Sequence, residues 1–399
     1  MKNKITFFLI ICSARLLHAM DKAEIENTLL NKPKLLQEVA VDLPQSARFA
    51  RDGSSLVLGS AACKFLVYDT SNFTQPKFTI PLNYDNFSID TSPMLPTCAV
   101  IGNSSLPASI WNIKVGKKLV DLPDATTCAF TIEYSNDGTQ VLTATPQGCQ
   151  IVDLGTNTVT TVDSSNMAAA RFNPADNNML ACATLAQTSS SIISIYDVRT
   201  NKPINLANHL PVYGLEFNPD GSKLVSISPF NFGVWDAKNA ALVEYLNTKG
   251  KEVSKPVHVP KNKAVIYADS LAFIPGTNIF IGALDSGKVT ICDVEQVKES
   301  VQFELVKGQV ADAFALDISP DGKTLVTGLY EQNSLQIWDI SKVKEALKEK
   351  YKKSQEVLPQ FNVEGDEIVQ QAALEQALGL APSYPSMPVQ GRKSLCIVI

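Results

Sequence analysis

Residues 214–236 read GLEFNPDGSKLVSISPFNFGVWD, which is two strand-like runs around Asp220-Gly221 and a third run that ends at Trp235-Asp236. An Asp-Gly pair between apolar runs is typical of a tight turn, because the turn needs a positive φ that glycine adopts at little steric cost. A fourth strand-like run, from Ala241 to Asn247, follows. The segment therefore predicts four strands joined by short connections, which is one blade of a β-propeller.

The same signals recur along the chain. Seven pairs occupy the slot of Trp235-Asp236, at steps of 39 to 57 residues, where one blade needs roughly 40 to 45. They are Tyr68-Asp69, Trp111-Asn112, Val152-Asp153, Tyr196-Asp197, Trp235-Asp236, Cys292-Asp293 and Trp338-Asp339. The turn slot is filled by Asp52-Gly53, Asp137-Gly138, Asp176-Asn177, Asp220-Gly221, Pro275-Gly276 and Asp321-Gly322. We predict an all-β, seven-bladed propeller, in which blade 2 is the least regular because Asp90-Thr-Ser-Pro93 replaces the turn glycine.

Four short motifs carry a resemblance to the WD-repeat family over residues 35–339. They are Phe217-Asn-Pro-Asp-Gly221, Ile318-Ser-Pro-Asp-Gly322, Val234-Trp-Asp236 and Ile337-Trp-Asp339. The resemblance implies that the strand-like run 35–43 supplies the outer strand of the last blade and closes the ring. The chain departs from the family in having only three histidines. The family's Gly-His dipeptide and its hydrogen-bond network are therefore absent.

The recurrent aspartates and tryptophans are expected to have structural roles. A residue that is repeated in every blade serves the blade, whereas catalysis needs an asymmetric cluster at one place. We expect Asp69, Asn112, Asp153, Asp197, Asp236, Asp293 and Asp339 to accept hydrogen bonds at turns. Trp111, Trp235 and Trp338 are expected to supply large buried area between blades. No catalytic residue, cofactor or metal ligand is predicted.

Partner-binding residues are expected in the loops. In the family, the loops that join the second to the third strand, and one blade to the next, crowd one face of the ring. Phe230 and Tyr330 lie in such loops, and loop aromatics are typical anchors of interfaces, with packing of each against its own blade as the alternative. An insertion over residues 247–263 carries Lys249, Lys251, Lys255, Lys261 and Lys263 against a single Glu252. A solvated surface loop is expected there, and docking of an anionic partner is the alternative.

The two ends of the chain carry conflicting localisation signals. Residues 1–19 combine two lysines, an apolar run and a small residue at a cleavage point, which indicates a signal peptide and export to the periplasm or outside the cell. An uncleaved anchor is the alternative. Cys396 begins a Cys-Ile-Val-Ile ending of C-a-a-X type, which predicts prenylation and membrane association. Both signals can be used only if the exported protein reaches the cytosol of a host cell.

Composition and flanking segments complete the organisation. The net charge of −5 and the pI near 5.4 argue against nucleic-acid binding. Seven cysteines follow the leader without any C-x-x-C spacing, so core packing is expected, and a disulfide between neighbouring blades stays open. Helices are predicted over 341–353 and 366–378, and a disordered tail over 381–399.

Three functional hypotheses follow. The first is a non-catalytic scaffold or recognition module that binds a protein or peptide. The second is an exported propeller enzyme of lactonase-like or quinoprotein-like type. The third is a prenylated, membrane-tethered adaptor or effector. A convergent group of carboxylates over the central channel would favour the enzyme, and its absence would favour recognition.

Overall fold

Seven four-stranded antiparallel sheets, arranged in a ring, confirm the predicted seven-bladed β-propeller. The structure is a computed structural model that describes residues 33–83, 86–102, 106–185, 191–200, 202–206, 211–228, 231–239, 241–247, 270–283, 288–297, 300–304 and 313–348. All of these residues belong to one compact unit.

Blades 1 to 6 place their four strands in chain order from the channel outward. Blade 1 contains β2 (Pro44–Phe49), β3 (Ser55–Ser60), β4 (Lys64–Asp69) and β5 (Phe78–Pro81). Blade 2 contains β6 (Asn86–Thr91), β7 (Thr97–Gly102), β8 (Ser109–Asn112) and β9 (Lys117–Asp121). Blade 3 contains β10 (Thr131–Tyr134), β11 (Gln140–Thr145), β12 (Gly148–Asp153) and β13 (Val159–Asp163). A short 3-10 helix, Asp124–Thr126, joins blades 2 and 3.

The second half of the ring repeats this arrangement. Blade 4 contains β14 (Met167–Asn173), β15 (Asp176–Thr184), β16 (Ile193–Asp197) and β17 (Lys202–Leu206). Blade 5 contains β18 (Gly214–Phe217), β19 (Lys223–Ser228), β20 (Asn231–Asp236) and β21 (Ala241–Asn247). Blade 6 contains β22 (Leu271–Phe273), β23 (Ile279–Ala283), β24 (Lys288–Asp293) and β25 (Val301–Glu304). Blade 7 contains β26 (Ala313–Ile318), β27 (Thr324–Leu329), β28 (Ser334–Asp339) and, from the other end of the chain, β1 (Lys34–Ala40).

The ring is closed by β1, which pairs antiparallel with β28 along its length. Leu35 lies opposite Trp338, and Val39 lies opposite Leu335. The hydroxyl of Ser334 also donates to the carboxylate of Glu38, at 2.8 Å. Blade 7 therefore has no open edge on β28, and the two ends of the repeat region are held in one sheet.

Five of the six predicted turns form by the expected backbone geometry. The prediction for blade 4 was wrong, because Asp176 and Asn177 already belong to β15 and the chain turns at Pro174 and Ala175. Gly53, Gly138, Gly221, Gly276 and Gly322 all have φ between 68° and 71°. Blade 2 turns without glycine: the hydroxyl of Ser92 accepts the backbone N–H groups of Met94 and Leu95 at 3.3 and 3.2 Å. The irregular sequence of blade 2 therefore changes the turn and leaves its four strands intact.

Apolar clusters fill the space between neighbouring blades. Trp235 is fully buried beside Leu224 and Phe217, against residues of blade 4. A helical segment at 343–348 follows β28, and Val343 and Leu347 pack into the cluster between blades 6 and 7. The rest of the predicted helix 341–353, the helix 366–378, the tail and the leader lie outside the described residues. In the described part, no helix is long and apolar enough to cross a membrane.

Candidate functional site

The first strands of the seven blades lie side by side around the central channel. One equivalent position of each strand, the last but one of the strand in six blades and the last but two in blade 4, borders the same cavity in the centre. We call these seven residues the channel ring: Arg48, Asp90, Glu133, Arg171, Glu216, Ala272 and Asp317. Six of the seven residues are charged, and blade 6 contributes only a methyl group.

Carboxylates of the channel ring join each blade to the next. Asp317 accepts the backbone N–H of Phe49 at 2.6 Å, and Asp90 accepts that of Tyr134 at 2.7 Å. Glu133 accepts the backbone N–H of Phe172 at 2.5 Å. In each case the donor is the residue directly after the ring position of the following blade. A carboxylate bonded to a backbone N–H is held in one orientation, so these three side chains are structural acceptors.

The two arginines of the ring connect two more pairs of neighbouring blades, 1 with 2 and 4 with 5. Arg171 is almost fully buried, and its Nε lies 3.1 Å from Glu216 of blade 5. One of its other nitrogens donates to the carbonyl of Ala170 at 3.0 Å. Arg48 lies 3.7 Å from Asp90 of blade 2. The chain of contacts thus runs from blade 7 through blade 1 to blade 5 in one direction around the ring.

Burial changes the acidity of the ring carboxyls. Desolvation raises the pKa of Asp317 to about 7, against the attraction of Arg48 and the N–H bond from Phe49. It likewise raises the pKa of Asp90 to about 6, and it raises the pKa of Glu133 well above its usual range. Arg171 opposes the rise at Glu133 by stabilising the ionised form. The ring therefore holds carboxyl groups that titrate near neutral pH.

The channel ring forms the floor of a cavity of about 570 Å³. The residues that directly follow five of the ring positions also border the cavity, namely Phe49, Tyr134, Phe172, Phe217 and Phe273. The first four bury their side chains in the apolar clusters between blades. The rim of the cavity is built from the turns between first and second strands, and five of these turns present a proline: Pro93, Pro174, Pro219, Pro275 and Pro320. Beside Pro93, the side chains of Met94 and Leu95 are 70% and 63% exposed. We call this opening, with its rim, the turn-side mouth.

The recurrent acidic and amide residues all lie at the ends of third strands, away from the ring. In every blade the side-chain oxygen accepts the backbone N–H two residues later, at 2.9 to 3.1 Å. The tryptophans donate their indole N–H groups within their own blades, Trp235 to Ser226 and Trp338 to Thr327. Trp111 and Trp338 also contact Phe65 and Phe303 of the preceding blade, at 5.2 and 5.5 Å between ring centroids.

Tyr330, the one predicted partner-binding residue that the structure describes, does not lie at the turn-side mouth. Tyr330 is half-buried in the connection between β27 and β28, which is on the face opposite the first-to-second-strand turns. Phe230, Lys249, Lys251, Lys255, Lys261, Lys263 and Cys396 lie outside the described residues. Their assignment as binding or lipidation sites stays a prediction.

The channel ring was missed by sequence reasoning, which attended to residues that recur in type. Its members differ in charge and size, so no repeat of one amino acid marks them. A positional signal was present: in four blades the ring residue stands five positions before the turn glycine, as Glu216 does before Gly221. Aligning the blades on their turns would have placed the charged residues in one column.

Among the described residues, no group of three or more His, Cys, Asp and Glu side chains is arranged to hold a metal ion. Comparison with known proteins finds no family model and no curated protein that matches this chain.

Proposed function

We propose that this propeller is a non-catalytic recognition module that binds a protein partner at the turn-side mouth. The observation that carries the proposal is a concave opening, rimmed by prolines and exposed apolar side chains, over a floor of charged groups. Interfaces combine a desolvated apolar centre with polar groups that fix orientation. Met94 and Leu95 supply exposed apolar area, and the cavity offers depth for an inserted side chain.

Rigidity of the mouth supports this role. The turns contact one another around the rim: the side-chain amide of Asn173 donates to the carbonyl of Gly221, and that of Asn136 donates to the carbonyl of Asn173, both at 3.0 Å. Asn218 reaches Asn278 of the next blade at the same distance. A surface that is already ordered loses little conformational entropy when a partner binds.

Photo-crosslinking from two faces tests the proposal. A photoreactive phenylalanine analogue replaces Met94 at the mouth or Leu106 in the loop region of the opposite face, and purified protein is exposed to extract of its native source. We expect one partner to crosslink from position 94 and not from 106. An excess of unlabelled wild-type protein should compete, and the Leu95→Asp variant should compete less well.

Two other outcomes have clear meanings. A specific adduct from position 106 alone would move the binding site to the loop face that the WD-repeat resemblance implies. Absence of a competed adduct from both positions would contradict a recognition role for either face.

We also propose that the blades are of WD-repeat type and that the protein is exported. The first rests on the Trp-Asp and Asp-Gly signals, and the second on residues 1–19. Intact mass of the protein from its native source tests the address. Loss of residues 1–19 with an unchanged carboxyl end supports export, whereas a prenyl group with loss of the last three residues supports a membrane-tethered adaptor.

An enzyme is the second candidate, favoured by the convergent carboxyls of the channel ring. A convergent group of carboxylates over the central channel is the feature expected of a propeller enzyme. A carboxyl with a pKa of about 7, as in Asp317, suits general acid–base chemistry. Three of the four carboxyls, however, already accept backbone N–H groups from the next blade. A lactone hydrolysis that falls at least 100-fold in Asp317→Asn, with no loss of melting temperature, would establish the enzyme.

A further inference from the structure

Two thiols face each other across the interface between blades 3 and 4. Cys149 lies on β12, the third strand of blade 3, and Cys182 lies on β15, the second strand of blade 4. Both are buried in one apolar cluster, with relative exposures of 0% and 1%. The two thiols are near enough that Cys149 has the largest effect on the acidity of Cys182 and raises its pKa. The other two fully buried cysteines, Cys98 and Cys292, lie in separate clusters elsewhere in the ring.

The surroundings hold the two thiols in register. Cys149 is paired with Asp163 across β12 and β13, and the Tyr196 hydroxyl of blade 4 donates to the Asp163 carboxylate. A polar bond thus crosses the same interface beside the two sulfurs. Both cysteines are on strands with neighbours on each side, so their backbones have little freedom to separate. A disulfide needs β-carbons about 4 Å apart, which neighbouring cysteines on two packed strands can reach while their interface forms.

We propose that Cys149 and Cys182 form a disulfide that joins blades 3 and 4 when the chain folds in the presence of a disulfide oxidant. In the first step, one cysteine thiolate attacks the oxidant's disulfide, for example that of oxidised glutathione, and releases one glutathione thiolate. In the second step, the other cysteine thiolate attacks the mixed disulfide and releases the second glutathione. The two cysteines lose two protons and two electrons, and the oxidant is reduced to two thiols.

Burial determines when this reaction occurs. Hydrogen bonding to Cys149, together with desolvation, raises the pKa of the Cys182 thiol well above its usual range. The thiolate is the attacking species, so the folded, reduced protein reacts slowly. Oxidation is therefore expected while the chain folds, before the interface closes.

Refolding in a glutathione redox buffer tests the proposal directly. Reduced, denatured wild-type protein is refolded with reduced and oxidised glutathione, remaining thiols are alkylated, and the product is mapped. Trypsin alone leaves Cys128 and Cys149 on one peptide, residues 119–171, because this stretch has no Lys or Arg before Arg171. A second cleavage after Glu133 separates the two cysteines. We expect a mass lower by two hydrogen atoms and one linked peptide pair that contains Cys149 and Cys182. The same oxidant added to the folded, reduced protein should act at least tenfold more slowly.

Stability provides a second readout. A crosslink across a loop of this length restricts the unfolded chain, so the oxidised protein should melt about 5 °C above the reduced protein. Cys182→Ser should lose both the linked peptides and this difference, and Cys98→Ser, the matched buried control, should keep them. Refolded wild-type protein in which Cys149 and Cys182 are both alkylated, or are linked to other cysteines, would overturn the proposal, whether or not the variants fold.

Discussion

The third-strand ends and the channel ring each place one residue per blade at an equivalent position, yet they differ in chemistry and in reach. At the third-strand ends the residue is Asp in six blades and Asn in one, and its bond goes to the N–H two residues later. In the channel ring the residue is Arg, Asp, Glu or Ala, and its contacts cross to the next blade. The positions with a uniform residue type stabilise the individual blade. The positions whose residue type varies connect neighbouring blades and make the centre of the ring asymmetric.

Removal of β1 tests whether blades are stable without the ring. A chain that begins at Pro44 leaves β28 as an exposed edge and removes Val41 from the cluster between blades 7 and 1. We expect loss of cooperative thermal unfolding for the whole propeller, measured by circular dichroism and calorimetry against a chain that begins at Pro33. An unchanged melting temperature would mean that blades are held by local bonds alone.

The buried arginine of the ring should have the next largest effect. Arg171→Met removes the cation that faces both Glu133 and Glu216, and it leaves these two carboxylates without their partner. We expect a loss of about 3 kcal/mol in the free energy of unfolding at pH 8, from urea denaturation. The loss should shrink as the pH is lowered and Glu133, whose pKa is raised, takes up a proton. Arg199→Met, which removes an exposed ion pair at a third-strand end, is the control and should leave the midpoint unchanged. Equal effects of the two substitutions would contradict the comparison.

Titration of Asp317 separates burial from hydrogen bonding. Its pKa is about 7 in the folded protein against 3.8 ordinarily, so the folded state binds more protons between these values. The stability that this group contributes is complete below pH 3.8 and is lost as the pH rises through 7. Asp317→Asn keeps an acceptor for Phe49 and is neutral at every pH.

We expect this variant to be about 1–2 kcal/mol more stable than wild type at pH 8, and the difference should shrink steadily as the pH is lowered toward 3.8. Arg48 and Asp90 face the same carboxyl, so Asp90→Asn serves as a check on their coupling. A variant that is less stable than wild type at pH 8 would show that the Arg48 attraction outweighs desolvation.

A third-strand end should show the smallest effect. Asp339→Ala removes one exposed acceptor of the Ser341 N–H and leaves every inter-blade bond in place. We expect a loss of at most about 1 kcal/mol, with an unchanged pH dependence between pH 5 and 8. Thermal melts at both pH values check this. A loss as large as that of Arg171→Met would remove the distinction between the two sets of positions.

The fold was predictable because its signals are local. Asp-Gly turns and aromatic-Asp strand ends each act within a few residues, so their spacing is visible in one dimension. The short turn of blade 2 was not predicted, because it has no glycine with a positive φ. The Ser92 hydroxyl stabilises it by accepting a backbone N–H group.

The candidate site was less predictable, because its contacts join residues about 40 positions apart. No residue close to Glu133 in the sequence indicates that its carboxylate accepts a hydrogen bond from the N–H of Phe172. The contact between Cys149 and Cys182 likewise depends on how two blades stack. The sequence does not decide whether an inter-blade disulfide forms, because packing, and not spacing along the chain, brings thiols together.

Closure by β1 also sets an order of events in time. The strand that is synthesised first is the partner of the strand that is synthesised last, since Lys34 pairs with Asp339. Six blades can assemble as they emerge from the ribosome, but the seventh waits for almost the whole chain. Until then β1 is a loose strand with unpaired backbone groups, which other chains can pair with. The protein therefore depends on protection of its amino-terminal strand during synthesis more than an open repeat array of the same length would.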